Sequence, residues 1–356
     1  MKNRIKRLQR ILVKENLDFL LITFLPHVRY LSGYSGTNGM ILISFKSSIF
    51  LTDFRYQQQA KEQVKGSKVM IAERDLFSSL PDLTLFKGKR VKMGFEAEHL
   101  NCKTYQRLKD LLPDCLLVPT EKAIETLTVK KDKSEIERIK KAIKITDRVF
   151  SEILDFIKPG VKELDLSAEM EYRMKRYGSS TPYFETIVAS GKRAALPHGV
   201  ASSKKIGKNE FVTMDFGAVF DGYTADMTRT VVVGKANRKQ KKVYNTVLRA
   251  QSRAISKARS RMKACDLDRT AREVIKKAGY GKYFGHGLGH GIGILVHDNP
   301  AINPTNQLPL EPGMVVTIEP GIYIPNWGGV RIEDDVLISQ RGCKVLTTSE
   351  RDLIEL

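Results

Sequence analysis

Apolar residues in the first third of the chain fall in runs the length of single strands, at 19–24, 40–45, 68–72, 91–95 and 115–118. They alternate with helix-like stretches such as 55–64, an alternation that predicts a small α/β domain. Ahead of them Ile5, Leu8, Ile11 and Leu12 recur at helical spacing, so the chain opens on an amphipathic helix with a basic outer face. Turn formers crowd residues 32–39, which predicts a loop between strands. That loop lacks the Gly-Lys-Ser/Thr ending of a phosphate-binding P-loop.

A new unit begins near Val129. Ser134 and Glu137 have the S-x-x-E spacing of a capping box, and Ile136, Ile139, Ile143, Val149, Ile153 and Leu154 lie mostly three or four apart. They predict a helix through 157, which Pro159-Gly160 stops. Further helices are expected at 164–177 and 239–261, and strands at 184–189, 211–216, 228–233, 314–319 and 330–338. The expected organisation is an α/β domain over 1–128 followed by an α+β domain over 129–356.

Composition changes this picture little. At 356 residues and 42% hydrophobic content the chain can bury sizeable cores. Its apolar runs are far shorter than the roughly 20 residues that span a bilayer, so no membrane segment is expected. Cys102, Cys115, Cys265 and Cys343 form no C-x-x-C pair and no export signal is visible, which fits reduced thiols in a cytoplasm. The net charge of +20 favours polyanions in general. Because Lys and Arg are spread along the chain without a nucleic-acid-binding signature, the excess reads as a solvated surface, not a nucleic-acid site.

The chemistry lies in carboxylates placed where strands should be apolar. Asp215 interrupts the apolar run 211–216, Asp221-Gly222 offers a turn, and Asp226 follows, so a hairpin would put both acids on one face. A salt bridge from Asp226 to Arg229 is the alternative. Glu319 ends the run 314–319 and Glu333 lies in the run 330–338, as a second hairpin would bring together. Between them, residues 285–297 hold His286, His290 and His297 amid glycines that permit close backbone approach. Buried carboxylates held together raise one another's pKa unless cations compensate. Four of them with an imidazole suit two divalent ions, Mn²⁺, Co²⁺, Fe²⁺ or Zn²⁺, and a bridging water acidified toward hydroxide for hydrolysis.

The ordered motifs MDFG, ADMTRT, HGLGHGIG, TIEPGIY and GVRIEDD, spread over 130–356, resemble the pita-bread metallopeptidases: methionine aminopeptidases, Xaa-Pro aminopeptidases and Xaa-Pro dipeptidases. LSGYSGTNG and LTDFRYQQQA are similar to the creatinase/prolidase amino-terminal domain of the proline-selective branch. The resemblance implies a carboxy-terminal pita-bread fold preceded by a smaller α/β creatinase-type domain. It implies that Asp215 binds one ion, that Asp226 and Glu333 bridge both, and that His290 and Glu319 hold the second. It also makes Glu319 the general base, His198 and His297 catalytic histidines, and His286 and Arg331 substrate-binding residues. A loop histidine at His198 and an Arg331 salt bridge to Glu333 or Asp335 are the alternatives. Leu295 and Asp298 depart from the family pattern, which has an acidic residue at the first position and a Glu at the second. The implied protein is a manganese-dependent homodimer that releases the residue before proline from peptides. Dipeptidase, methionine aminopeptidase and a non-catalytic binding module are the other readings.

Overall fold

The computed structural model describes the chain except for Arg74, residues 87–89, Thr181 and Tyr183, and every described side chain but that of Lys2. It divides into two compact units, Met1–Leu127 and Thr128–Leu356.

In the first unit the helices are α1 (Lys2–Lys14), α2 (Leu25–Ser32), α3 (Gln57–Gln63) and α4 (Cys102–Leu111). The strands are β1 (Phe19–Ile22), β2 (Met40–Ser44), β3 (Ser48–Asp53), β4 (Lys68–Ala72), β5 (Val91–Glu96) and β6 (Cys115–Thr120). They form one mixed sheet in the order β4-β3-β2-β1-β5-β6, with Leu21, Leu42, Leu51, Met93 and Leu117 in its core. Five of these strands lie on the five apolar runs, and β3 is an addition. The turn-rich segment follows α2, not a strand, because Pro26 starts a helix there and left-handed Gly33 ends it. That segment is tied to the end of β3: Asn38 donates to Asp53 Oδ2 at 2.5 Å, and Arg55 grips the same carboxylate with two bonds of 2.9 Å. One basic residue leaves the outer face expected for α1. Arg4 is buried, donating to Tyr30 O at 2.8 Å with its guanidinium 4.0 Å from the Tyr30 ring.

The one-turn helix α5 (Glu125–Thr128) leads to the second unit. There α6 (Lys133–Ile153) and α7 (Glu163–Arg176) pack on β7 (Ile187–Ser190), β8 (Glu210–Phe216) and β11 (Met227–Val233), burying Val149, Phe150, Met170, Met214 and Phe216. Between β8 and β11 lies the small hairpin of β9 (Val219–Phe220) and β10 (Tyr223–Thr224). The pair α8 (Arg238–Lys257) and α9 (Ala264–Lys277) follows. It covers a sheet ordered β13-β12-β14-β17-β18, made of β12 (Gly289–Gly291), β13 (Asp298–Ile302), β14 (Val315–Ile318), β17 (Asp334–Ile338) and β18 (Cys343–Val345). Strands β15 (Gly321–Ile324) and β16 (Gly328–Arg331) form a separate hairpin.

Three local readings change. The box that starts α6 is Asp132 with Glu135, not Ser134 with Glu137, because Asp132 takes the extended cap conformation and accepts Glu135 N. The single strand expected at 330–338 is two, β16 and β17, parted at Ile332-Glu333. Helix α9 carries no start signal, since Lys263 stands where a capping side chain would. No helix among the described residues is long and apolar enough to cross a membrane.

Asp298 makes a buried ion pair. Its Oδ2 meets Lys131 Nζ at 3.0 Å with both side chains 1% exposed. Removing the ammonium would leave a buried carboxylate with only the neutral donors Thr128 Oγ1 and Asn299 N. Lys131→Met is expected to lower unfolding free energy by about 3–5 kcal/mol in urea titrations. Lys130→Met, which breaks the half-exposed pair with Glu311, should change it by no more than about 1 kcal/mol. Equal small effects would contradict the assignment.

Candidate metal centre and active site

Two interrupted hairpins carry the acidic residues. In the first, β8 and β11 pair with Asp215 opposite Thr228, and the register runs on into β9 and β10 through Tyr223 opposite Phe220. Asp221 and Gly222 both have positive φ, 48° and 79°, as a two-residue type I′ turn demands. Asp226 lies two residues from Thr228, so it shares a face with Asp215. The ladder breaks at Gly217, where a Cβ would sit 1.8 Å from Ala225 O. In the second hairpin, Ile318 opposes Asp334 and Gly321 opposes Arg331 in one continuous register. The break between these ladders leaves Glu319 and Glu333 across from one another.

His290 comes from β12, squeezed between β13 and β14. A Cβ on Gly289 would be 2.2 Å from Thr317 O, and one on Gly291 2.1 Å from Asn299 O. The flanking glycines are therefore what lets this strand bring an imidazole in. His290 Nδ1 donates to Gly291 O at 3.0 Å, which leaves Nε2 a bare lone pair. That lone pair faces Glu319 Oε1 at 3.4 Å and Asp226 Oδ2 at 3.6 Å.

A cleft of about 390 Å³ gathers all nine residues named from the sequence: Asp215, Asp226, His290, Glu319 and Glu333, with His198, His286, His297 and Arg331. His198 and His297 are on its exposed rim, the His297 ring 4.4 Å from that of His290. His286 donates from Nδ1 to Gly287 O at 2.7 Å, so its Nε2 accepts from Tyr323 Oη at 2.9 Å. Burial and the nearby Arg331 charge push the His286 pKa down to about 4, which keeps it neutral. Arg331 pairs with Asp215, at 2.5 Å from Oδ2, and with neither Glu333 nor Asp335. Its other donors go to Thr228 Oγ1, Pro197 O and Tyr323 Oη. Arg229 does not reach Asp226. It is buried against Asp334 at 2.7 Å and donates to backbone carbonyls that include Glu333 O.

The description "Metallopeptidase family M24" matches residues 137–340, and "Creatinase/Prolidase N-terminal domain" matches residues 4–128. The chain belongs to this metallopeptidase family. It is 39% identical to an Xaa-Pro dipeptidase of Pyrococcus furiosus, over 99% of this chain and 100% of the relative. Among solved structures, an Xaa-Pro dipeptidase from Bacillus anthracis is 41% identical with a TM-score of 0.96, covering 99% of both chains. An X-Pro aminopeptidase from Thermotoga maritima MSB8 is 37% identical with a TM-score of 0.90, covering 96% of this chain and 98% of that one.

The electrostatics of this metallopeptidase cleft fit divalent cations. Arg331 offsets Asp215 and Arg229 offsets Asp334, but Asp226, Glu319, Glu333 and Asp335 have no Lys or Arg partner among the described residues. Asp215 Oδ1, Asp226 Oδ1 and Glu333 Oε1 are buried oxygens without a hydrogen-bond donor. Burial first, and then the neighbouring carboxylates, raise Asp226 and Glu333 well above the ordinary range, and Glu319 to about 8. The same burial lowers His290. Bare oxygens and a bare imidazole nitrogen converging without a donor are what a metal ion would satisfy.

Three residues not singled out from the sequence support this set. Thr228 donates to Glu333 Oε2 at 2.6 Å, Thr317 donates to Glu319 Oε1 at 3.3 Å, and Tyr323 links Arg331 to His286. Each stands inside a quoted motif, so only its contacts were hidden. Because the carboxyl protons must leave before an ion binds, Mn²⁺ uptake by chelator-stripped protein is expected to release protons and to weaken as pH falls below about 8. Titration calorimetry in buffers of differing ionisation enthalpy reads both, and an affinity unchanged between about pH 6 and pH 9 would oppose this.

Proposed function

We propose that the chain hydrolyses the peptide bond between a first residue and a following proline, with Xaa-Pro dipeptides as its main substrates. The observation that carries this is the convergence of Asp215, Asp226, His290, Glu319 and Glu333 in one cleft, in a chain that matches Xaa-Pro dipeptidases from end to end. The similarity to the Thermotoga maritima X-Pro aminopeptidase supports a second reading, in which longer peptides lose their first residue.

In this reading Asp215 would hold one divalent ion, His290 and Glu319 would hold a second, and Asp226 and Glu333 would serve both, with Mn²⁺ the first candidate and Co²⁺, Zn²⁺ and Fe²⁺ the others. Bound there, the ions would supply Lewis-acid polarisation of the scissile carbonyl and an acidified water. Glu319 accepts the proton from water and returns it to the leaving amine. His198 and His297, on the rim and unburdened by metal, hydrogen-bond the substrate carbonyl as it gains charge. His286, Tyr323 and Arg331 form a connected wall, and Arg331 shapes that wall chiefly through internal bonds. The reading further includes a cytoplasmic homodimer, and a basic surface with no nucleic-acid role.

Purified protein loaded with Mn²⁺ should cleave Ala-Pro faster than Ala-Pro-Ala, with Met-Ala-Ala untouched. The reverse order for the proline peptides establishes the aminopeptidase, and hydrolysis of Met-Ala-Ala alone overturns proline selectivity. His198→Ala and His297→Ala are each expected to lower kcat about 10²–10³-fold with metal content unchanged. Glu319→Ala should lose both activity and one ion, and light scattering should give twice the chain mass.

A further inference from the structure

A second set of ligating side chains lies in the first unit, built on different strands from the catalytic set. His27 on α2, His99 in the turn after β5, and Glu125 on α5 offer ligand atoms that all lie within 4.8 Å of one another. The three are far apart in sequence and meet beyond the carboxyl ends of the parallel strands β1 and β5, the edge at which open α/β sheets place their ligands.

The hydrogen bonding of His27 gives the cluster its direction. Glu96, at the end of β5, accepts from Thr23 N at 2.7 Å and Phe24 N at 3.0 Å through Oε2. Its Oε1 is 2.6 Å from His27 Nδ1. A carboxylate already committed to two backbone donors accepts a hydrogen bond from Nδ1–H, so in the neutral ring Nε2 carries the lone pair. The His27 side chain is 1% exposed, and its Nε2 has no hydrogen-bond partner among the described residues. An acceptor nitrogen buried in this way is costly unless something electrophilic meets it. The His99 ring stacks on Phe24, at 3.7 Å between centroids and 6° between planes. It stands edge-on to His27 at 5.4 Å. A small cavity of about 10 Å³ lies beside the cluster, lined by Glu96, His99, Lys122 and Glu125 among others.

We propose that His27 Nε2, a ring nitrogen of His99 and a carboxylate oxygen of Glu125 bind one Zn²⁺ ion, separate from the catalytic metals. Two imidazoles with one carboxylate suit zinc over magnesium or calcium, which prefer all-oxygen sets. Tetrahedral zinc with bonds near 2.0–2.1 Å places its ligand atoms about 3.3 Å apart, which rotation of the His99 and Glu125 side chains supplies. Glu96 is the positioning residue that fixes the His27 tautomer, as carboxylates do behind zinc-bound histidines. Three protein ligands leave a fourth position for water. The ion would clip α2, the β5 turn and α5 together, closing two long loops of the first unit.

The test counts metal in a background without catalytic metal binding. Full-length Asp226→Asn/Glu333→Gln protein is stripped with chelator, loaded with Zn²⁺, desalted and analysed by elemental mass spectrometry. One zinc per chain is expected to remain, and adding His99→Ala or Glu125→Gln should remove it. Co²⁺ loaded into the same background should give the visible d–d absorption of a tetrahedral site, which His99→Ala abolishes. If the background variant does not fold, the same comparison is made in otherwise wild-type protein, where His99→Ala should cost one zinc per chain. Zinc content unchanged by His99→Ala and Glu125→Gln, in whichever background folds, overturns the proposal.

Discussion

Mutual repulsion among buried carboxylates is the constraint around which the second unit is organised. Asp215, Asp226, Glu319 and Glu333 converge with at most a seventh of any side chain exposed except Glu319, at 16%. Desolvation and like charge both oppose their ionisation. A fold that tolerates this must either keep them protonated or bring in positive charge. Arg331 supplies part of that charge to Asp215, while Arg229 takes up Asp334 behind the site. What remains is a deficit on Asp226, Glu319, Glu333 and Asp335, and a divalent pair matches it in charge.

The scaffold that meets this constraint is economical in kind: two long hairpins, each interrupted once. An uninterrupted antiparallel ladder would satisfy its backbone with itself and point alternate side chains to opposite faces. Breaking the ladder at Gly217 and at Glu319-Pro320 frees the residues beside the break to be held from elsewhere. Glu333 N bonds to Thr228 O at 3.1 Å, and Asp226 N to Asp335 Oδ2 at 3.1 Å, so each hairpin steadies the other at its gap. Each hairpin also lies against its own pair of helices, α6 with α7 and α8 with α9, whose apolar faces form the two cores of the unit. The acids thus sit where the two cores meet, which is why they can be buried and still face one cleft.

Both units use one electrostatic device at their histidines. A carbonyl or carboxylate accepts a hydrogen bond from Nδ1–H, as Gly291 O does for His290, Gly287 O for His286 and Glu96 for His27. Each ring is left with a directed lone pair on Nε2. For His286 that lone pair is answered by Tyr323, and the result is a rigid wall. For His290 and His27 no protein donor answers it among the described residues, and ligating atoms stand near instead.

Sequence alone determined the parts that depend on local pattern. Apolar runs placed five of the six strands of the first unit, Pro159-Gly160 ended the region of α6, and Asp221-Gly222 marked its turn, because periodicity and turn chemistry act over a few residues. The acids could be singled out for a related reason: a carboxylate inside an apolar run is anomalous whatever surrounds it. The tertiary structure decided everything that depends on partners. Arg331 chose Asp215 over Glu333 and Asp335, Arg229 chose Asp334 over Asp226, and Asp132 displaced Ser134 as the cap of α6, since each outcome is fixed by which groups lie within hydrogen-bond reach. The His27, His99 and Glu125 cluster was invisible in the sequence because its members lie on three separate segments and carry no shared spacing. Only the parallel pairing of β1 with β5 and of β5 with β6, contacts between distant parts of the chain, brings them to one edge.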